Sequence, residues 1–239
     1  WLLSSGERMS KSRGNFLDPD EAVAALGADG VRFVALREVP FDRDGEVSWD
    51  SIIRRYNSEL ANDFGNLVNR AVTMAQRSFP DAAPPPRAAA TSPLGIAWAV
   101  TRTRACDAIG QVALHEWLGA LWELVGTANR FVDSEKPWEL AKAARDGDAA
   151  AHEQLSGVLG DLLETCRLIS LYAAPAIPRV AAQVWELLGH RWPYDEVGHG
   201  GPALEKLGEW GACVAHRPLS SPVPLFPRLE RDEQPPATR

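Results

Sequence analysis

A short cationic loop near the start of the chain has the composition of a phosphate-binding site. It consists of Arg8, Met9, Ser10, Lys11 and Ser12, and Gly14 follows shortly after it. The two cations can neutralise phosphate charge, while the hydroxyls and main-chain amides can donate hydrogen bonds. The glycine permits close approach of the main chain. These residue types leave two interpretations open, a polyphosphate site and an ordinary solvated loop, and short basic loops are more often the second.

Two polar residues on a predicted helix and one tryptophan are candidates for contacting nucleic-acid bases. Asn66 and Arg70 are four residues apart, so they are neighbours on a helix surface. An amide beside a guanidinium can bind the hydrogen-bonding edge of an unstacked base. Trp138 follows Pro137 at a predicted helix start, where an exposed indole can stack on a base. Considered alone, Asn66 and Arg70 favour the alternative, an ordinary solvated helix face.

The elements that must position these residues are helical. Asp18 and Pro19 predict a helix start, and Gly27 predicts its end before a second short helix that Pro40 terminates. Apolar residues at three- and four-residue steps predict one long helix over about 49–79. Further helices are predicted over about 94–111, 114–133, 137–145, 155–175 and 178–189, with Trp98, Trp117, Trp122 and Trp185 in the core. The predicted fold class is mainly α, a helix bundle preceded by a small mixed α/β module.

The predicted domains follow from this pattern. Residues 1–47 form the mixed module, residues 48–190 the helical bundle, and residues 191–239 a Gly- and Pro-rich tail. We expect the tail to pack back in part and its end, beyond Arg228, to be disordered. A proline-rich stretch over residues 80–93 predicts an extended linker within the bundle.

Composition restricts the location and the ligands of the protein. The net charge of −7 argues weakly against nucleic acid, so RNA binding would depend on a local cluster of residues. Three widely spaced cysteines predict buried free thiols in a reducing cytoplasm, and the five histidines are scattered, so we expect no metal site. There is no signal-peptide pattern and no apolar run long enough for a membrane helix.

Several sequence motifs of this chain resemble those of a known enzyme family. Residues Arg8 to Ser12 resemble the KMSKS signature of class I aminoacyl-tRNA synthetases, with arginine in the first place, and residues 13–15 extend the match. Eight further segments resemble the methionyl-tRNA synthetase branch of this class: 18–19, 27–33, 36–41, 45–49, 55–63, 65–70, 136–138 and 224–228. These segments are spread from residue 8 to residue 228, so the similarity extends over nearly the whole chain.

The resemblance implies the C-terminal part of a methionine–tRNA ligase, which activates methionine with ATP and Mg²⁺ and transfers it to methionine tRNA. Lys11 would stabilise the charge that develops on the leaving pyrophosphate. The ATP-binding loop, in a stem-contact module, would be completed by Arg8, Met9, Ser10 and Ser12. Arg8 departs from the signature, because its planar guanidinium stands where the signature has the compact ammonium of a lysine. Asn66, Arg70 and Trp138 would bind the CAU anticodon, with the tryptophan stacking on its bases.

The resemblance also indicates what this chain does not contain. No His-x-Gly-His signature is present, so we expect the nucleotide-binding half, the methionine pocket and any zinc-bearing insertion upstream. We expect this part alone to be inactive and the protein to be a cytoplasmic monomer. Two alternatives remain open: a related synthetase for cysteine, valine, leucine or isoleucine, and a non-catalytic helical module that binds tRNA.

Overall fold

The computed structural model describes residues 2–4, 6–10, 16–40, 43–194, 203–213 and 218–230, and most of these residues are helical. The predicted mainly α fold class is therefore confirmed. Lys11 and Ser12, both predicted to bind ATP, lie outside the described residues. The elements in chain order are β1 (Leu2–Ser4), β2 (Glu7–Arg8), α1 (Pro19–Glu38), β3 (Gly45–Glu46), α2 (Trp49–Arg55), a π-helix (Tyr56–Gly65), α3 (Asn66–Ser78), α4 (Pro93–Gly110), α5 (Leu114–Glu135), α6 (Pro137–Arg145), α7 (Ala149–Ala173), α8 (Pro178–Leu187) and α9 (Leu204–Leu207).

The front of the chain forms a small sheet with strand order β2-β1-β3. Strands β1 and β2 are an antiparallel hairpin in which Leu3 pairs with Arg8, and Gly6 adopts a φ of 76° in its turn. Strand β3 runs parallel to β1 and pairs Glu46 with Leu3. The hairpin therefore holds Arg8 at the start of the predicted phosphate loop.

Helix α1 contains a kink where the sequence predicts a break. The Asp18 side chain accepts the Asp20 N–H at 2.8 Å, and Pro19 occupies the first turn. Gly27 has φ 70° and ψ 162°, a conformation that favours glycine. The two predicted short helices are the two halves of this kinked element.

The predicted long helix over residues 49–79 is continuous, but its winding changes. The side chains and main chains of Ser48 and Ser51 form a reciprocal cap at its start. The middle stretch, Tyr56–Gly65, is a π-helix, so the prediction of regular α-helix is wrong there. Three- and four-residue apolar steps do not distinguish the two windings. Within this stretch the Glu59 carbonyl accepts the Trp122 Nε1–H at 2.8 Å, a tertiary contact that the sequence pattern does not indicate.

Helix α7 is the centre of the bundle. It contacts α3, α4, α5, α6 and α8, and every residue from Val158 to Ala173 is buried. The predicted proline-rich linker packs on this helix, because Asp161 accepts hydrogen bonds from the Arg87 main chain and side chain at 2.8 Å each. A Cβ added at Gly160 would lie 2.0 Å from the Pro85 carbonyl oxygen, so the contact depends on glycine.

The tryptophan prediction is confirmed and the cysteine prediction is only partly so. The four tryptophans predicted in the core are 2% to 7% exposed: Trp98, Trp117, Trp122 and Trp185. Of the three thiols, Cys166 is buried, which raises its pKa to about 12. Cys106 is exposed on α4, and Cys213 is intermediate. The prediction of burial is therefore wrong for Cys106.

The C-terminal tail packs against the long helix. Phe226 is buried with its ring edge-on to Tyr56, at 5.9 Å between centroids. Asn57 and the main chain of Leu229 exchange two hydrogen bonds of 2.9 Å. Residues 226–229 are thus held to the bundle, whereas residues 231–239 lie outside the described residues.

Candidate nucleic-acid interface

The α3 helix presents the two predicted base-contacting residues beside its buried stripe. Asn66 is the first residue after the π-helix and is exposed, and Arg70 is partly exposed one turn later. The opposite side of α3 is buried in the bundle through Leu67, Val68, Ala71, Val72 and Ala75. The amide and the guanidinium therefore lie on the solvent side of a firmly packed helix.

Arg70 has a partner that the sequence analysis did not identify. Its Nη2 lies 3.1 Å from Oδ1 of Asp133, in the last turns of α5, and this carboxylate side chain is 68% exposed. Among the described residues, no other acceptor contacts the guanidinium, so its remaining N–H groups are available for a ligand. Only the tertiary contact between α3 and α5 reveals this pair, because the two residues are far apart in sequence.

The corner between α5 and α6 exposes Trp138. Lys136 adopts a left-handed conformation (φ 46°, ψ 59°), donates its N–H to the Val132 carbonyl and accepts the Glu139 N–H at 2.8 Å. Pro137 then begins α6 and is itself buried. Trp138 follows with 46% of its surface exposed, in contrast to the tryptophans of the core.

The structure thus brings two of the three predicted residues together and connects them to the third. Asn66 and Arg70 share one flank of α3, and α3 contacts both α5 and α6. Asp133 pairs with Arg70 and stands five residues before Trp138, across the corner. The local charges are mixed, so this surface would recognise a ligand by hydrogen bonding and stacking more than by net field.

The described part of the phosphate loop comprises three of its five predicted residues. Arg8 is exposed at the end of β2, Met9 is partly buried against the core, and Ser10 is partly buried. A loop with two cations and two hydroxyl groups suits a polyphosphate. Lys11 and Ser12 lie outside the described residues.

The described ranges hold no group of three or more His, Cys, Asp or Glu side chains placed to bind a metal ion. No helix in the same ranges combines the length and the apolar character that crossing a membrane requires.

Comparisons with known proteins agree on one family. The model of the family described as "tRNA synthetases class I (M)" matches residues 1–72. A methionine–tRNA ligase of Thermosynechococcus vestitus is 35% identical over 235 residues, which cover 96% of this chain and 43% of that protein. A methionine–tRNA ligase of Clostridium tetani is 38% identical over 192 residues, covering 79% of this chain and 29% of that protein.

Solved structures give the same result. The Mycobacterium tuberculosis methionyl-tRNA synthetase bound by methionyl-adenylate aligns with a TM-score of 0.75 and 30% identity, over 95% of this chain and 43% of that one. Its free form aligns with a TM-score of 0.72 over 92% of this chain. The chain thus spans less than half the length of these relatives.

Proposed function

This chain belongs to the methionyl-tRNA synthetase family, and we propose that it supplies the ATP loop and the anticodon-binding bundle of a methionine–tRNA ligase. In the proposed reaction, the methionine carboxylate attacks the α-phosphate of ATP, which releases pyrophosphate and forms methionyl-adenylate. The methionyl group then passes to methionine tRNA. The methionine pocket and the His-x-Gly-His signature would belong to a part of the full-length protein outside this chain.

One observation carries the anticodon assignment, namely the exposure of Trp138. The tryptophans predicted in the core are at most 7% exposed, whereas Trp138 is 46% exposed on a corner held by backbone hydrogen bonds. An indole left in water forgoes the free energy of burial, and stacking on an unpaired base recovers about 1–3 kcal/mol. A rigid, exposed indole is therefore suited to an anticodon base.

Asn66 and Arg70 would supply the hydrogen bonds that stacking lacks. The amide of Asn66 can donate and accept, and the planar guanidinium of Arg70 can donate two parallel bonds to a base edge. The contact with Asp133 fixes the direction of the guanidinium without occupying all of its donors. Together the three residues would recognise the CAU anticodon by shape and by hydrogen bonding.

The loop of Arg8, Met9, Ser10, Lys11 and Ser12 would hold the ATP phosphates. Arg8 and Lys11 would neutralise phosphate charge, while Ser10 and Ser12 would donate hydrogen bonds. Lys11 would act mainly in the transition state, when charge builds on the leaving pyrophosphate. Mg²⁺ would arrive with ATP and screen its phosphates. Zinc, if the full-length protein binds it at all, would bind upstream of this chain. We also propose that the full-length protein is a cytoplasmic monomer.

The test compares two half-reactions of the full-length enzyme carrying Trp138→Ala. Charging of methionine tRNA should fall about tenfold or more, because stacking is lost, while ATP–pyrophosphate exchange stays almost unchanged. Trp138→Phe retains an aromatic face and should restore most of the charging rate. Ile96→Ala, which truncates another exposed apolar side chain on α4 (55% exposed), is the matched control and should change neither reaction.

A structural role for Trp138 predicts a different pattern. In that case the melting temperature, pyrophosphate exchange and tRNA charging would all fall together in Trp138→Ala. Such a parallel loss would overturn the anticodon assignment.

A further inference from the structure

The boundary between the π-helix and α3 lies at the main chain of Asn66. The Asn66 N–H donates to the carbonyls of Ala61 and Asp63, so the last π-type bond and a tighter bond share one donor. From this residue on, the chain follows regular α-helical winding to Ser78. The direction in which the Asn66 side chain points is therefore set at this junction.

A side chain of α5 holds the same junction from outside. Asn129 Nδ2 lies 3.2 Å from the Asp63 carbonyl oxygen and 3.2 Å from the Val125 carbonyl oxygen of its own helix. The Asp63 carbonyl thus accepts hydrogen bonds from both the Asn66 main chain and the Asn129 amide. Asp133, the partner of Arg70, follows Asn129 by one turn on the same helix.

We propose that Asn129 is a positioning residue for anticodon recognition. By its hydrogen bond to the Asp63 carbonyl, it holds Asn66 in the orientation in which Asn66 contacts an anticodon base. The inference rests on the proposed function of Asn66. One edge of α5 would then orient both polar base-contacting residues: Asn129 would orient Asn66, and Asp133 would orient Arg70.

The physical reason is that π-helical winding needs tertiary support. Such stretches are rare and mostly single turns, frequently at functional sites, whereas this one covers Tyr56–Gly65. A change of one residue in hydrogen-bond register would turn everything after it by about 100° around the helix axis. Asn66 and Arg70 would then face a different direction.

Two side chains of α5 oppose such a change. Trp122 Nε1–H donates to the Glu59 carbonyl at 2.8 Å, and Asn129 donates to the Asp63 carbonyl one turn later. The Trp122 ring also packs on Phe33 and Phe64, so removing it would damage the core. Asn129 is only partly buried, and its amide can be removed with little loss of packing.

The experiment uses full-length enzyme carrying Asn129→Leu, which keeps the size of the side chain but removes its donor. We expect the KM for methionine tRNA to rise about tenfold, equivalent to about 1.4 kcal/mol, with pyrophosphate exchange unchanged. Asn129→Ala serves as a second variant if the leucine disturbs folding. Thr127→Val is the matched control, because the hydrogen bonds of Thr127 Oγ1 stay within α5: it donates to the Glu123 carbonyl and accepts from Arg130 Nη2. This variant should leave the KM unchanged.

A double-mutant cycle with Asn66→Ala separates the possible outcomes. If Asn129 acts through Asn66, the two changes should be non-additive, and the KM of the double variant should lie well below the product of the two single increases. Fully additive effects, or an equal loss of melting temperature and of both half-reactions, would overturn the positioning role. If Asn66→Ala itself leaves charging unchanged, the proposed function of Asn66 fails. If Asn66→Ala raises the KM and neither Asn129 variant does, only the present inference fails.

Discussion

Arg70 and Asp133 form an ion pair that joins α3 to α5, with 3.1 Å between Nη2 and Oδ1. The two side chains are 32% and 68% exposed, and exposed pairs contribute about 0–1 kcal/mol to stability. The pair therefore has more influence on the orientation of the guanidinium than on the free energy of unfolding.

We expect Asp133→Ala to weaken tRNA charging while leaving stability nearly intact. Without its partner, the Arg70 side chain regains rotamer freedom that must be lost again on binding, which costs about 0.5–1.5 kcal/mol for one side chain. The KM for methionine tRNA should rise severalfold, whereas Asp133→Asn, which retains an acceptor oxygen, should have a smaller effect. Steady-state charging and urea unfolding of both variants measure this difference. A large loss of stability in Asp133→Ala would contradict the orienting role.

The phosphate loop gives a prediction for the other half-reaction. Lys11→Ala in the full-length enzyme should slow methionine-dependent ATP–pyrophosphate exchange, mainly through the rate of activation. Losing one preorganised contact with a developing anion is typically worth about 2.7–4 kcal/mol. Arg8→Lys keeps the charge and restores the residue that the KMSKS signature has at this place, so it should be close to neutral. Unchanged exchange kinetics in Lys11→Ala would remove Lys11 from the mechanism.

Local signals in the sequence predicted many of the elements because those signals act within a few residues. Asp18 and Pro19 begin α1, Gly27 kinks it, and Pro137 begins α6, each through its own backbone chemistry. The core tryptophans followed from helical periodicity in the same way. Exposure of Trp138 was also expected from its place just after Pro137.

Features that depend on distant partners could not be predicted in this way. The π-helix is stabilised by side chains of α5, and the periodicity of residues 56–65 contains no sign of them. Asp133 is one of many carboxylates in the sequence, and only the packing of α3 against α5 brings it to Arg70. The buried polar residues of α7 are a further case, since Glu164 and Arg167 find their partners in the tail.

Arg167 and Glu164 are a buried ion pair that fastens the tail to α7. Their side chains are 0% and 4% exposed, and two hydrogen bonds of 2.6 and 2.8 Å join them. Arg167 also donates to the carbonyls of Leu207 and Glu209, and Glu164 accepts the Gly211 N–H at 2.7 Å. The pair therefore satisfies main-chain groups of the 204–211 segment as well as each other.

Removing one member of this pair should destabilise the protein strongly. Glu164→Gln leaves a buried guanidinium without its counter-charge, a change that typically costs about 3–5 kcal/mol. The matched control is Glu123→Gln, which breaks the exposed ion pair between Glu123 (63% exposed) and Arg104 (52% exposed). This change should cost about 0–1 kcal/mol.

The double variant Glu164→Leu/Arg167→Met should lose less stability than the two single changes added together, because neither charge is left without its partner. Urea unfolding gives the free energies, and hydrogen exchange in residues 204–211 should quicken in Glu164→Gln and not in Glu123→Gln. Equal losses in the two single glutamate variants would show that the buried pair has no special role in holding the tail.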